Sequence, residues 1–251
     1  MKPFEILIIY NIISLLLIIC LLVICGKKVN KQTTKDKILK ITSLLVVIIH
    51  YSSIYYYFFA NQGEIKLENY MLLPIYPCHI IMWLFLIVAF AKNKESKAYK
   101  LLAEFTCFGG TICGIIGSLF NINFLGIPDL SNYYILKGLI SHSVMIFGTL
   151  YLYVGKYVKF TVSQTMISVV LGELIFTACG LFVNVLFHVF DIPPVNAMFM
   201  LESPIQSIPI INFYTIMICG LIFGFITLNI YECFVYPKEE RWFNSLIKKW
   251  N

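Results

Sequence analysis

The chain has 251 residues, of which 59% are hydrophobic and 13% charged, and its mean hydropathy is +0.83. A water-soluble globule does not need so much apolar sequence for its core, so the composition defines a polytopic membrane protein. The net charge of +6 comes from lysines gathered between apolar runs; with no basic stripe interleaved with aromatics, it points to membrane orientation and away from a nucleic-acid partner.

A hydrocarbon core of about 30 Å takes roughly 20 helical residues to cross. Seven stretches qualify: 4–25, 38–60, 71–91, 101–120, 133–154, 162–190 and 210–236. Helices are expected because lipid offers backbone N–H and C=O groups no partners, and the period-2 pattern of barrel strands is absent. The predicted fold class is therefore all-α, a seven-helix membrane bundle over residues 1–236 with a short tail at 237–251.

The first span ends in Ile24-Cys25-Gly26-Lys27-Lys28, a stop-transfer flank with no Ala-x-Ala site, and reads as a retained helix rather than a cleaved signal. Lysines then alternate along the chain. Lys27, Lys28, Lys31, Lys35 and Lys37 follow span one, Lys92, Lys94, Lys97 and Lys100 follow span three, and Lys156 and Lys159 follow span five. The loops 61–70, 121–132 and 191–209 hold Lys66 against Glu64, Glu68, Asp129, Asp191 and Glu202. The positive-inside rule places the lysine-rich loops and the C-terminus in the cytoplasm and the N-terminus outside, which an odd number of spans satisfies. Lysine dominance, with Arg241 the sole arginine, fits an AT-rich genome and points to a bacterial cytoplasmic membrane.

Ionisable groups at depth cost at least about 2.5 kcal/mol each on insertion scales, so retained ones face a cavity or a partner. Here they are His50 in span two, Cys78 and His79 in span three, Glu104 in span four, His142 in span five, and Glu173 and His188 in span six. Entering from outside, span three carries Cys78 roughly 10 Å deep and span five carries His142 roughly 13 Å deep, at 1.5 Å per residue. His50, on a helix running outward, falls near the same level. Three helices thus place a thiol and two imidazoles in one outer-leaflet layer.

Span three contains two prolines, Pro74 and Pro77. Pro77 suits the first position of a helix, and Pro74 biases Leu73 away from helical conformation. A helix starting at Pro77 would put Cys78 in its first turn, where unpaired N–H groups and the positive dipole end favour a thiolate. Residues 71–76 would then be irregular, which is tolerated at membrane depth only under protein or water cover. The alternatives are one kinked, continuous helix, with Cys78 as packing. His79 is turned about 100° from Cys78 and is expected to orient a neighbour or bond a backbone carbonyl.

Span four has Gly109, Gly110, Gly114 and Gly117, and the Gly110/Gly114 spacing lets another helix approach closely. Glu104 is within reach of Lys100 one turn earlier. In span five His142 can act as general base to a thiol on another helix, or simply bridge helices. Glu173 lacks a local cation and is expected to be protonated or paired with Lys137 or a histidine. The eight cysteines lie in apolar spans with no Cys-x-x-Cys pair, so neither disulfides nor a zinc site is expected. The tail mixes Trp242, Phe243, Leu246, Ile247 and Trp250 with Lys248 and Lys249, as an interfacial amphipathic segment does.

Together these segments resemble the family of integral-membrane acyltransferases that includes transmembrane protein 164 and the bacterial YwaF-type proteins. Pro77-Cys78-His79 is similar to the Asn-Pro-Cys-His of its eukaryotic branch, and Pro74-Ile75-Tyr76-Pro77-Cys78 stands where bacterial members carry Pro-Leu-His-Leu-Cys. Leu102-Ala103-Glu104-Phe105 with Phe108-Gly109 is similar to the family's fourth span, and Ser141-His142 to its Ser-His in the next. Asn184 and then Asn196-Ala197-Met198-Phe199-Met200 resemble an Asn followed by an Asn-Tyr-Met-Tyr-Leu segment. Tyr76 replaces the bacterial histidine, and Ala197 the usual aromatic.

The resemblance implies a Cys78 nucleophile and a His142 base that move a fatty-acyl chain from a membrane phospholipid to a lysophospholipid hydroxyl or to water, as an acyltransferase or a lipid hydrolase; no cofactor or metal is expected. For the oxyanion, the candidate donors are the free N–H groups at the start of the Cys78 helix, or the amides of Asn184 and Asn196. His79 is a supporting candidate, and His50, Glu104 and Glu173 are buried polar ones. Two other classes remain open on the residues alone: a small proton- or ion-coupled transporter built on Glu173 and the histidines, and a non-catalytic membrane scaffold whose polar groups bridge helices.

Overall fold

The computed structural model describes residues 3–60, 73–119, 133–192, 195–203 and 208–250. The two expected outer loops at 61–70 and 121–132, and Met71 and Leu72, lie outside the described residues. All of the long described elements are α-helices: α1 (Pro3–Lys28), α2 (Gln32–Ala60), α3 (Pro77–Phe90), α4 (Lys97–Leu119), α5 (Tyr133–Val154), α6 (Val162–Val189), α7 (Phe213–Val235) and α8 (Trp242–Trp250). Six of them, all but α3 and α8, are long and apolar enough to cross a membrane.

Helix α3 differs from the uniform span expected over 71–91. Its 14 residues cover only about 21 Å at 1.5 Å per residue, short of a hydrocarbon core of about 30 Å. The reason is local. Pro77 occupies the first turn, Tyr76 before it is extended at φ −116° and ψ 154°, and residues 73–76 are non-helical. Ile75 within this stretch is buried, so the irregular backbone has protein cover, as membrane depth demands. Of the two alternatives, the helix starting at Pro77 is the one found.

The chain divides into two compact units, residues 1–158 and 159–251, each described by itself. In the first, α2, α3, α4 and α5 close a ring in which α2 packs on α3, α3 on α4, α4 on α5 and α5 on α2, while α1 lies against α4 and α5. The small face of α4 permits this closeness. A Cβ at Gly110 would meet Thr149 of α5 and Ile81 of α3, and one at Gly114 would meet Ile146 and the His142 carbonyl of α5. The glycines of α4 therefore serve packing, as their spacing predicts. Polar contacts attach α1: Ser14 donates to Ser143 at 2.8 Å, Tyr10 meets the same hydroxyl at 3.0 Å, and Ser118 bonds Asn11.

Where the lysine-rich loops meet, Asp36 is the hub. Its carboxylate accepts hydrogen bonds from Lys94 at 2.6 Å, Tyr157 at 2.6 Å and Gln32 at 3.0 Å, and the Lys94 ammonium lies 4.7 Å from the centre of the Tyr157 ring. Burial, and then the bond it donates to Asp36, push the Tyr157 hydroxyl far above its ordinary value. One carboxylate thus joins the start of α2 to the loops after α3 and α5.

The second unit packs α6 on α7 and lays the turn Ala197–Phe199 against α6. Glu232 of α7 ends this unit much as Asp36 joins the first: its carboxylate accepts from the Val162 N–H at 2.7 Å and the Trp242 N–H at 2.6 Å. Both amides open helices, α6 and α8, where carboxylates are favoured by the dipole. The tail helix α8 is present where an amphipathic segment is expected.

Candidate functional site

Cys78 is the second residue of α3. The proline before it supplies no N–H, and its half-buried sulfur lies against the backbone N–H groups of Cys78 and His79. The His79 N–H also donates to the Tyr76 carbonyl at 3.0 Å, so the sulfur shares that amide with the turn that opens the helix, at the end where the dipole favours negative charge.

His79 points to a different neighbourhood. It is buried, and its Nδ1 lies 3.2 Å from the carbonyl of Leu73. A carbonyl only accepts, so Nδ1 carries the hydrogen and donates it, which ties the irregular 73–76 stretch to the helix. This is the role expected from its 100° offset. Its ring also packs edge-on against Tyr76, with centroids 5.3 Å apart, and against His50 of α2, at 4.7 Å.

His50 is 6% exposed, and neither of its ring nitrogens has a hydrogen-bond partner among the described residues. Burying such a group unpaired costs about 1–3 kcal/mol, so the position retains imidazole against stability. Its carbonyl accepts from Lys137 of α5 at 3.1 Å, and the same ammonium lies 3.4 Å from the Ser53 hydroxyl. Lys137 is itself 7% exposed.

His142 of α5 donates from Nδ1 to the Gly138 carbonyl at 2.7 Å. By the same logic its Nε2 is the lone-pair nitrogen, the form a general base requires. The ring is pressed on α4 where a Cβ at Gly117 would run into it, with Nε2 the atom nearest that glycine and Cε1 at 2.8 Å. His142 lies within electrostatic range of both His50 and His79, and Cys113 of α4 within that of Cys78. All four helices of the ring thus supply a polar or nucleophilic group: His50 from α2, Cys78 and His79 from α3, Cys113 from α4, Lys137 and His142 from α5.

The remaining sequence candidates lie elsewhere. Glu104 is buried in α4, while the Lys100 ammonium near it in sequence is held by Glu95 at 2.9 Å. Glu173 is in the second unit, on α6, with Oε1 facing Gly220 of α7. Both asparagines named as oxyanion candidates are bonded within that unit. Asn184 clamps Ala197 with both ends of its amide, donating to the carbonyl at 3.2 Å and accepting from the N–H at 2.9 Å. Asn196, in the left-handed region at φ 49°, accepts from the N–H groups of Leu201 and Glu202 and donates to the Glu202 carbonyl. No group of three or more His, Cys, Asp or Glu side chains placed to hold a metal ion occurs among the described residues.

Lys137 is the site residue that the sequence reading passed over as part of this constellation. The available signal was a lysine placed four residues into a predicted span, which is costly there and asks for a purpose.

The helical spans and the polar layer inside them define an integral membrane protein. Comparison with protein-family models matches residues 2–231 to the TMEM164 family, and the chain belongs to that family. No curated protein and no solved structure matches it.

Proposed function

We propose that this protein is an integral-membrane acyltransferase that carries an acyl chain as a thioester on Cys78. The observation that carries the reading is the seat of Cys78: a half-buried thiol in the first turn of a proline-started helix, inside a ring of helices that also holds a histidine in the base tautomer. The resemblance of Pro77-Cys78-His79 and Ser141-His142 to the acyltransferase motifs supports the same assignment.

In the first half-reaction the Cys78 thiol gives its proton to Nε2 of His142 while sulfur attacks the acyl carbonyl carbon of a phospholipid. The tetrahedral intermediate collapses by breaking the ester C–O bond, and the departing alkoxide takes the proton from His142. The products are the thioester and a lysophospholipid. In the second, His142 takes the proton of an acceptor hydroxyl, whose oxygen attacks the thioester; the C–S bond breaks and the thiolate recovers the proton. The first-turn amide of Cys78 is the donor on this helix for the developing oxyanion. Water exclusion favours a lysophospholipid acceptor over hydrolysis.

On this reading the chain crosses a bacterial cytoplasmic membrane seven times. Helix α3, together with the irregular residues before it, makes the crossing that is too short as helix alone, and the N-terminus is outside. The reaction then takes place in the outer leaflet, near the level of glycerol esters. The test is acyl capture. Protein in nanodiscs given phospholipid with a labelled acyl chain should acquire a label on Cys78 that hydroxylamine releases, and Cys78→Ala should acquire none and lose lysophospholipid turnover. Turnover unchanged in Cys78→Ala would end the proposal.

A further inference from the structure

Helix α1 lies outside the ring of four, against α4 and α5. Leu7 and Ile18 are buried on its inner side, while Ile12, Ile13, Leu16 and Leu17 are exposed on the other. Between Leu7 and Ile18, helical spacing brings Tyr10, Asn11 and Ser14 to that inner side, a polar turn in an otherwise apolar run from Ile6 to Cys25. Lipid gives helices no hydrophobic drive to associate, so hydroxyls and amides at a helix contact help to set which residues meet.

The three side chains bond two serines. The Ser143 hydroxyl of α5 gives its hydrogen to the Leu139 carbonyl at 2.9 Å, so it accepts from both Ser14 at 2.8 Å and Tyr10 at 3.0 Å. On α4, Ser118 donates to the Asn11 amide oxygen. The Asn11 amide nitrogen donates to the Leu7 carbonyl at 2.9 Å and reaches that of Ser118 at 3.5 Å. Ser118 follows Gly117 in the chain, and Ser143 follows His142. Successive residues of a helix are turned about 100° from each other, so α4 and α5 each give one residue to the seat of His142 and the next to α1. One turn of α1 thus spans the seam in which Nε2 of His142 meets the bare backbone of Gly117.

We propose that Tyr10, Asn11 and Ser14 are positioning residues for His142: by holding Ser118 and Ser143 on one turn of α1, they fix the spacing of α4 and α5 that keeps the imidazole on Gly117 and its Nδ1 on the Gly138 carbonyl. The consequence for acyl transfer rests on His142 being the base of that reaction. The three residues act through the helices that carry the base and its seat. When the clamp is released, α4 and α5 can part at Gly117, the ring gains room to turn, and the bond that sets its tautomer is no longer enforced.

Solid-state NMR of the full chain in nanodiscs, with isotope-labelled histidine, reads the seat without any turnover. The His142 signals are those missing from His142→Gln, and in wild type they should show one tautomer, protonated at Nδ1. Asn11→Leu keeps the bulk and removes the amide; it should give mixed tautomers, and lysophospholipid turnover should lose about tenfold in kcat with KM within about twofold. Ser14→Ala should act the same way with a loss of about threefold, and Ser14→Thr, which returns the hydroxyl, should restore the single tautomer and the rate. If Asn11→Leu does not fold, Ser14→Ala against Ser14→Thr decides. A single wild-type tautomer in the folded Asn11→Leu and Ser14→Ala proteins would overturn the inference, even where turnover falls, because the loss would then reach the reaction by another route. Mixed tautomers in Asn11→Leu of a protein that captures no acyl chain would remove acyl transfer and leave the clamp on His142 standing.

Discussion

The imidazole of His142 is held between the Gly138 carbonyl on its own helix and the bare backbone of Gly117 on α4. The first contact sets the tautomer and the second sets the ring position. Adding one methyl at Gly117 puts a carbon inside the ring's volume, so His142 must turn and give up its bond to Gly138. Gly117→Ala should therefore reduce lysophospholipid turnover at least tenfold, since small misplacement of a base is costly to rate. Thermal unfolding should show the helices still folded, and full turnover in the variant would refute this positioning role. Spacing flagged His142, but nothing local to Gly117 reveals its duty, because the two are brought together only by the packing of α4 on α5. His50 and His79 show the same limit: their shared depth was legible, their ring contact was not.

Helix α3 is the element whose sequence said most. Pro74 and Pro77 act through covalent geometry, which needs no tertiary partner, so a helix start at Pro77 was one of the two readings the sequence offered. The hub at Asp36 is the opposite case. Gln32 is one turn away on α2, but Lys94 and Tyr157 are 58 and 121 residues distant, and the start of α2 and two loops must converge before the carboxylate has all its partners. Asp36→Asn removes the charge while keeping the shape. It should lower unfolding stability by about 1–2 kcal/mol, since hydrogen bonds involving a charged group contribute roughly 1.5–3 kcal/mol and a partly exposed ion pair at most about 1. Thermal unfolding in detergent measures this, and an unchanged melting temperature would show that the hub does not bind the loops together. Similarly, Asn184 carried motif interest in the sequence, whereas its contacts fix the left-handed turn through Ala197.

For the whole molecule, the lysine alternation yields an orientation that fusion reporters can test. A C-terminal fluorescent-protein fusion should fluoresce in bacterial cells and a C-terminal alkaline phosphatase fusion should stay inactive; the reverse pattern would invert the topology and move Cys78 to the inner leaflet. By itself, the sequence determined that the protein is helical and membrane-embedded, that helix α3 either starts or kinks at its prolines, and which rare polar residues occupy the apolar spans. These follow from hydropathy, proline geometry and the high cost of charge in lipid, all properties of short segments. Tertiary structure alone decided which of those residues meet. Closing α2 through α5 into a ring gave Lys137 its place on the His50 carbonyl and His142 its seat on Gly117, and within the second unit Asn184 and Asn196 brace the turn at Ala197. Such contacts join residues tens of positions apart, and no local pattern encodes them.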